Sequence, residues 1–157
     1  MSHDPSNPFY LPLRLLHILG AMAFLGALLV ALWWKLGADR AGDLGFATQT
    51  HRRLRKLDGQ IVGPAALLTF AAGYAMVRFL GGRISQHMFV LVGLILMFSA
   101  LGFWYFGMRT LGEKLADAAA LDADYAKKSA AWVGCAGAAV GLVALTALVM
   151  VFKLPSG

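Results

Sequence analysis

Four long apolar stretches, at residues 9–34, 58–80, 86–108 and 131–153, occupy most of the 157 residues of this chain. Each has the ~20 or more residues that a helix rising 1.5 Å per residue needs to cross a hydrocarbon core ~30 Å thick. A backbone in lipid has to satisfy its own polar groups, and a helix does so within one segment. The expectation is an all-α, polytopic membrane protein, one four-helix transmembrane bundle over 1–157. Charged residues make up only 14% and mean hydropathy is +0.68, where a soluble domain has ~25% charged residues.

The formal charge of +6 does not point to nucleic acid, because of where the cations lie. Lys35, Arg40, Arg52, Arg53, Arg55 and Lys56 fall between the first two spans, and Arg109, Lys114, Lys127 and Lys128 between the last two. Arg14, Arg78, Arg83 and Lys153 fall on the other side. Such a bias is expected to place the basic loops in the cytoplasm and both termini outward. The N-terminus lacks a basic start and its apolar run is too long for a cleaved signal, so that run is expected to stay as an anchor. The single cysteine, Cys135, excludes an intrachain disulfide and any CxxC motif. It is expected to pack as a small apolar residue.

Local punctuation gives the element ends. Trp33-Trp34-Lys35 reads as an interfacial anchor with its ammonium in water, followed by a break over 37–43. Asp43 suits the N-cap of a helix over 44–57. That helix either lies on the surface or extends the second span. Its cluster HRRLRK (51–56) reads as a solvated, orientation-setting face that attracts anionic headgroups. Pro64 is expected to kink the second span. A short turn follows at Gly81–Ser85. Phe103-Trp104-Tyr105-Phe106 reads as a second aromatic belt, and 111–130 as helix on both sides of a turn near Leu121-Asp122.

Small residues mark expected helix contacts: Gly20, Ala23 and Ala27 in the first span, Gly59 and Gly63 in the second, and Gly134, Gly137 and Gly141 in the fourth. In a sharper reading, Gly20 leaves a slot for a flat cofactor beside His17. That histidine lies about two turns inside the first span, where an ionisable group is expensive. Neutral imidazole is an axial ligand for haem iron and a ligand for copper. Arg14, one turn before it, suits a haem propionate. The plainer reading is a hydrogen bond from His17 to a neighbouring helix.

His87, near the same end of the third span, is the candidate second ligand, or else an interfacial residue. Met22, Met76 and Met88 are soft alternatives, or simply packing. Tyr74 and Arg78, one turn apart, are expected to line the same pocket. His51 reads as solvated within the basic cluster, and His3 as part of a free tail whose start, Met-Ser-His, offers backbone nitrogens to copper. Asp58 either caps its helix, pairs with Arg55 or relays protons. No arrangement for hydrolytic catalysis is found.

Three segments carry a resemblance: LRLLHILGAMAFLGALLVALWW, HRRLRKLDGQIVGPAALLTFAAGYAM and the closing MVFKLP. With them the chain resembles a group of small bacterial membrane proteins. It comprises the copper-resistance CopD domain, the HemJ-type protoporphyrinogen oxidases and a branch of uncharacterised predicted integral membrane proteins. The last is the best fit, on Asp58, Pro64 and Gly73. The resemblance implies a four-helix membrane fold and a haem-ligating role for His17. The chain has Ala23-Phe24-Leu25-Gly26 where HemJ-type chains have Trp-Met-Ala-Gly, and Met88-Phe89-Val90-Leu91 where they place a lysine. The oxidase activity is therefore not carried over.

The leading expectation is an inner-membrane protein that binds haem b for electron transfer or haem handling. His17 is the axial ligand, with His87 or a methionine opposite and Arg14 or Arg78 near the propionates. A quinone or a membrane redox partner would complete such a role. The alternatives are a copper-handling membrane protein and a cofactor-free structural or assembly subunit, alone as a homo-oligomer or within a larger membrane complex. Whether it is an enzyme is left open.

Overall fold

The computed structural model describes residues 9–79 and 88–152. Helix α1 runs over Tyr10–Ala41, α2 over Leu44–Leu57, α3 over Gly63–Phe79, α4 over Met88–Gly102, α5 over Thr110–Ala116 and α6 over Ala123–Phe152. Wide π-type turns, Asp58–Val62 and Phe103–Arg109, join α2 to α3 and α4 to α5 without a break. The result is four rods long and apolar enough to cross a membrane. The expected all-helical, four-span architecture is therefore present.

The rods are longer than the bilayer requires. Thirty-two residues of α1 rise ~48 Å, well over the ~30 Å of a hydrocarbon core. The excess gathers at the basic end, where α1 continues past Trp33-Trp34 and α2 precedes the second apolar span. The expected break at 37–43 narrows to its last residues: α1 stops at Gly42, in the left-handed region at φ 64°, which glycine adopts without a Cβ clash. Asp43 caps α2 as expected, accepting from the Phe46 N–H. The segment 44–57 extends the second span. The wide turn over 58–62, ahead of Pro64, keeps the helix continuous, with the Gly63 N–H donating to Asp58 O. At the other basic turn, Asp122 accepts from the Tyr125 N–H at 2.8 Å and starts α6.

Helix α1 packs on α3, α4 on α6 and α2 on α5. Small residues make these contacts close, as expected where lipid gives no hydrophobic drive between helices. A Cβ on Gly20 would lie 2.6 Å from Thr69 Oγ1 and 3.0 Å from Thr69 N. One on Gly107 would lie 2.5 Å from Cys135 Sγ, so Cys135 does pack as a small residue in α6. Phe24, Leu28, Val62, Met97, Trp104, Trp132 and Ala136 fill the shared core. Leu11, Met22, Leu67, Ile95 and Leu148 face outward, as a lipid-facing surface requires.

The stripe in α6 behaves differently from expectation. A Cβ on Gly134, Gly137 or Gly141, as on Gly59 of the second span, would meet nothing within 4 Å among the described residues. Ala136, Ala139 and Val143, on another face of the helix, make the contact instead.

Candidate functional site

His17 lies where α1 crosses α3. Its Nδ1 is 2.7 Å from the carbonyl oxygen of Thr69, so that nitrogen carries the proton and donates. The ring rests on Gly73, where a Cβ would come 3.0 Å from both Cε1 and Nδ1. A turn deeper, Gly20 is occupied by Thr69, whose hydroxyl donates back to Ala65 O at 2.8 Å. The slots that the two glycines leave are thus filled by the protein itself. Arg14, Tyr74 and Arg78 stand exposed on the same end of α1 and α3. His87, like His3 and the turn at Gly81–Ser85, lies outside the described residues. Met22 and Met88 are exposed, and no group of three or more His, Cys, Asp or Glu side chains among the described residues is placed to hold a metal ion.

A denser polar cluster sits at the basic end. Lys35, expected to reach water, is 0% exposed. Because α1 continues as helix, its ammonium reaches Asp39 one turn on and bonds both carboxylate oxygens. It also donates to Ser129 Oγ of α6 at 2.6 Å. Ser129 Oγ in turn lies 2.7 Å from Asp39 Oδ2, and the Tyr125 hydroxyl donates to Asp39 Oδ1 at 3.0 Å. Tyr125 and Ser129 are one turn apart, so a single face of α6 completes the set. A buried ammonium with a carboxylate and two hydroxyls around it is a satisfied charge.

His51 also departs from expectation. It is 1% exposed rather than solvated, with its ring edge-to-face on Trp132 at 5.8 Å between centroids. Helix α2 turns Ala47, Thr50, His51 and Leu54 inward and leaves Arg52, Arg53, Arg55 and Lys56 exposed, so the two members of the cluster other than Arg and Lys face the core. Neither ring nitrogen has a hydrogen-bond partner among the described residues. Burial, and then the nearby Lys35 charge, push its pKa down to about 4 against a smaller opposing pull from Asp39, so the ring is neutral at pH 7. A crevice of ≈ 10 Å³ opens beside it, lined by Asp58, Met108 and Gly112 among others, the room of about one water.

Asp58 neither pairs with Arg55 nor caps a helix through its side chain. Its Oδ1 accepts from Trp104 Nε1 at 3.0 Å, while Arg55 approaches Glu113 at 3.8 Å. Trp104 is accordingly buried, whereas Phe103, Tyr105 and Phe106 remain an exposed belt. Lys35, Asp39, Tyr125 and Ser129 were not singled out as a cluster by sequence. The i, i+4 spacings of both pairs are visible there, but their meeting depends on how far α1 extends.

A family model for predicted integral membrane proteins, DUF2269, matches residues 11–154. No curated protein and no solved structure matches the chain significantly. The match covers all four rods, the His17–Thr69 crossing and the basic-end cluster, and the chain accordingly belongs to the DUF2269 family of multi-pass integral membrane proteins.

Proposed function

We propose that this chain is a bacterial inner-membrane protein, termini outward, that holds haem b at its terminal end through His17, akin to the HemJ/CopD-like group. The observation that carries the reading is the bond from His17 Nδ1 to Thr69 O. Ligating histidines are oriented in this way by a carbonyl on the other nitrogen, which leaves Nε2 as the lone pair. The donor set is a single neutral imidazole with Arg14 and Arg78 nearby for propionates. Since Thr69 occupies the Gly20 slot, a flat ring has to approach from the exposed side of His17. Bound haem would supply one-electron exchange with a quinone or membrane redox partner. The chain's own part is to hold the imidazole and limit access of water.

The test is a visible spectrum, oxidised and reduced, of protein purified from haem-supplied cells. His17→Ala abolishes the Soret band. His17→Asn, which retains a donor for Thr69 O, abolishes it as well. A featureless spectrum from folded wild-type protein overturns the reading.

A second reading has its own support. The filled Gly20 and Gly73 slots make His17 a tie between α1 and α3, as in a cofactor-free structural or assembly subunit. It predicts that His17→Asn keeps full stability and that other subunits co-purify.

A further inference from the structure

At the basic end, a groove of ≈ 480 Å³ runs between the end of α1 and the flank of α2 that carries Phe46, Thr50 and Arg53, with Trp33, Trp34 and Gly37 on the α1 side. Its volume lies within the ~300–1,000 Å³ of ordinary ligand sites. The walls are aromatic: Trp33 is 75% exposed, and Trp34 and Phe46 are about half exposed. A Cβ on Gly37 would meet no atom of the described residues within 4 Å, so the groove is open beside it.

Two polar groups meet there. Arg53 is exposed and has no ion pair among the described residues. Thr50, one turn before it, is 7% exposed. The other four threonines each donate to the carbonyl four residues back: Thr48 to Leu44, Thr69 to Ala65, Thr110 to Phe106 and Thr146 to Leu142. Thr50 makes no such bond among the described residues. Among the described residues only the His51 ring nitrogens are buried without a partner, so the Thr50 oxygen is open to the groove that it lines beside the Arg53 guanidinium.

We propose that this groove is a binding site for one anionic glycerophospholipid of the adjoining leaflet, its phosphate held by Arg53 and Thr50 and its glycerol and upper acyl chain lying against Trp33, Trp34 and Phe46. Guanidinium and hydroxyl together donate to phosphate oxygens. The indoles belong at headgroup level, where one end of the ring is apolar and the other wet. Charge sets the occupant apart from a second copy of the chain, whose same end is equally basic, with Arg52, Arg53, Arg55 and Lys56 on its surface. The site is distinct from generic attraction to the HRRLRK cluster, because Arg55 and Lys56 share the charge and do not line the groove.

The test is native mass spectrometry of the full chain in detergent, titrated with phosphatidylglycerol or with phosphatidylcholine of the same acyl chains. Wild type retains one phosphatidylglycerol per monomer in preference to phosphatidylcholine. Arg53→Ala and Thr50→Val each weaken that binding, Arg53→Ala at least about tenfold more than Lys56→Ala, and free glycerophosphate does not displace the lipid. Equal losses in Arg53→Ala and Lys56→Ala would reduce the effect to surface charge and overturn the proposal. So would displacement by glycerophosphate, or a dimer that Arg53→Ala dissolves without any lipid adduct. A folding defect is excluded by the retained thermal transition of Thr50→Val, a near-isosteric change.

Discussion

Lys35 and Ser129, 94 residues apart in sequence, share a hydrogen bond of 2.6 Å that fastens the end of the first rod to the start of the last. Asp39 bridges the same two rods through Ser129 and Tyr125. The cluster ties together the two rods most distant in chain order, at the end where no apolar stretch holds them.

Breaking one member of the cluster leaves the rest unbalanced. Lys35→Met strands Asp39 without its cation and is expected to destabilise the protein by about 3 kcal/mol. Thermal unfolding in detergent measures this. The double change Lys35→Met, Asp39→Leu recovers most of the loss, since it removes the stranded charge.

His51 gives the stability curve a recognisable acid limb. Its folded pKa of about 4 lies below the ordinary 6.5, so the unfolded chain binds the proton more readily. The contribution is intact above pH 6.5 and is lost as pH falls toward 4, by up to about 3 kcal/mol at ~1.4 kcal/mol per unit. In His51→Phe this component is absent between those limits. The variant is also expected to gain about 1 kcal/mol at pH 7, because two unpaired buried nitrogens are gone and the edge contact with Trp132 remains.

Glycines divide sharply by what faces them. Gly20→Ala drives a methyl onto the Thr69 hydroxyl and tight against the backbone of Thr69 and Ala65, and is expected to destabilise by about 1–3 kcal/mol. Gly137→Ala, facing open space, is expected to be neutral or slightly stabilising through helix propensity. Comparing their unfolding midpoints checks the assignment of the α1–α3 contact.

The bond between Asp58 and Trp104 links the second and third rods. Trp104→Phe leaves the ring nearly filled and the carboxylate unpaired, with an expected loss of about 1.5–3 kcal/mol. A double-mutant cycle with Asp58→Leu, in which the second change is far less harmful once the first is made, measures the coupling.

The spans, the Asp43 cap and the turn at Asp122 were legible in sequence because each rests on local chemistry: a run of apolar side chains, or a carboxylate one turn from an amide. Lys35 was misread for the same reason. Beside two tryptophans it has the local look of an anchor, and only the continuation of α1 to Ala41 brings Asp39, Tyr125 and Ser129 around it. His51 likewise sits among four cations, and its burial follows from the rotational phase of α2 against α5 and α6, which a string of residues does not display. The α6 glycines show the converse: three small residues at helical spacing mark a face but not which partner, if any, meets it. Of the residues singled out at the terminal end, His17 and Gly20 sit on one crossing because both follow the periodicity of α1.

The two wide turns have a geometric consequence. A π turn holds one residue more than an α turn, so it sets everything beyond it out of phase by about 100°. Asp58–Val62 and Phe103–Arg109 face one another across the Asp58–Trp104 bond. Both middle rods therefore change phase at the same depth. Each is two stacked cylinders offset by that fixed angle: a lower one whose inward side is set by its neighbours at the basic end, and an upper one that presents a different side of the sequence to lipid. The seam between them runs level through half of the bundle, and one indole and one carboxylate join the two rods across it.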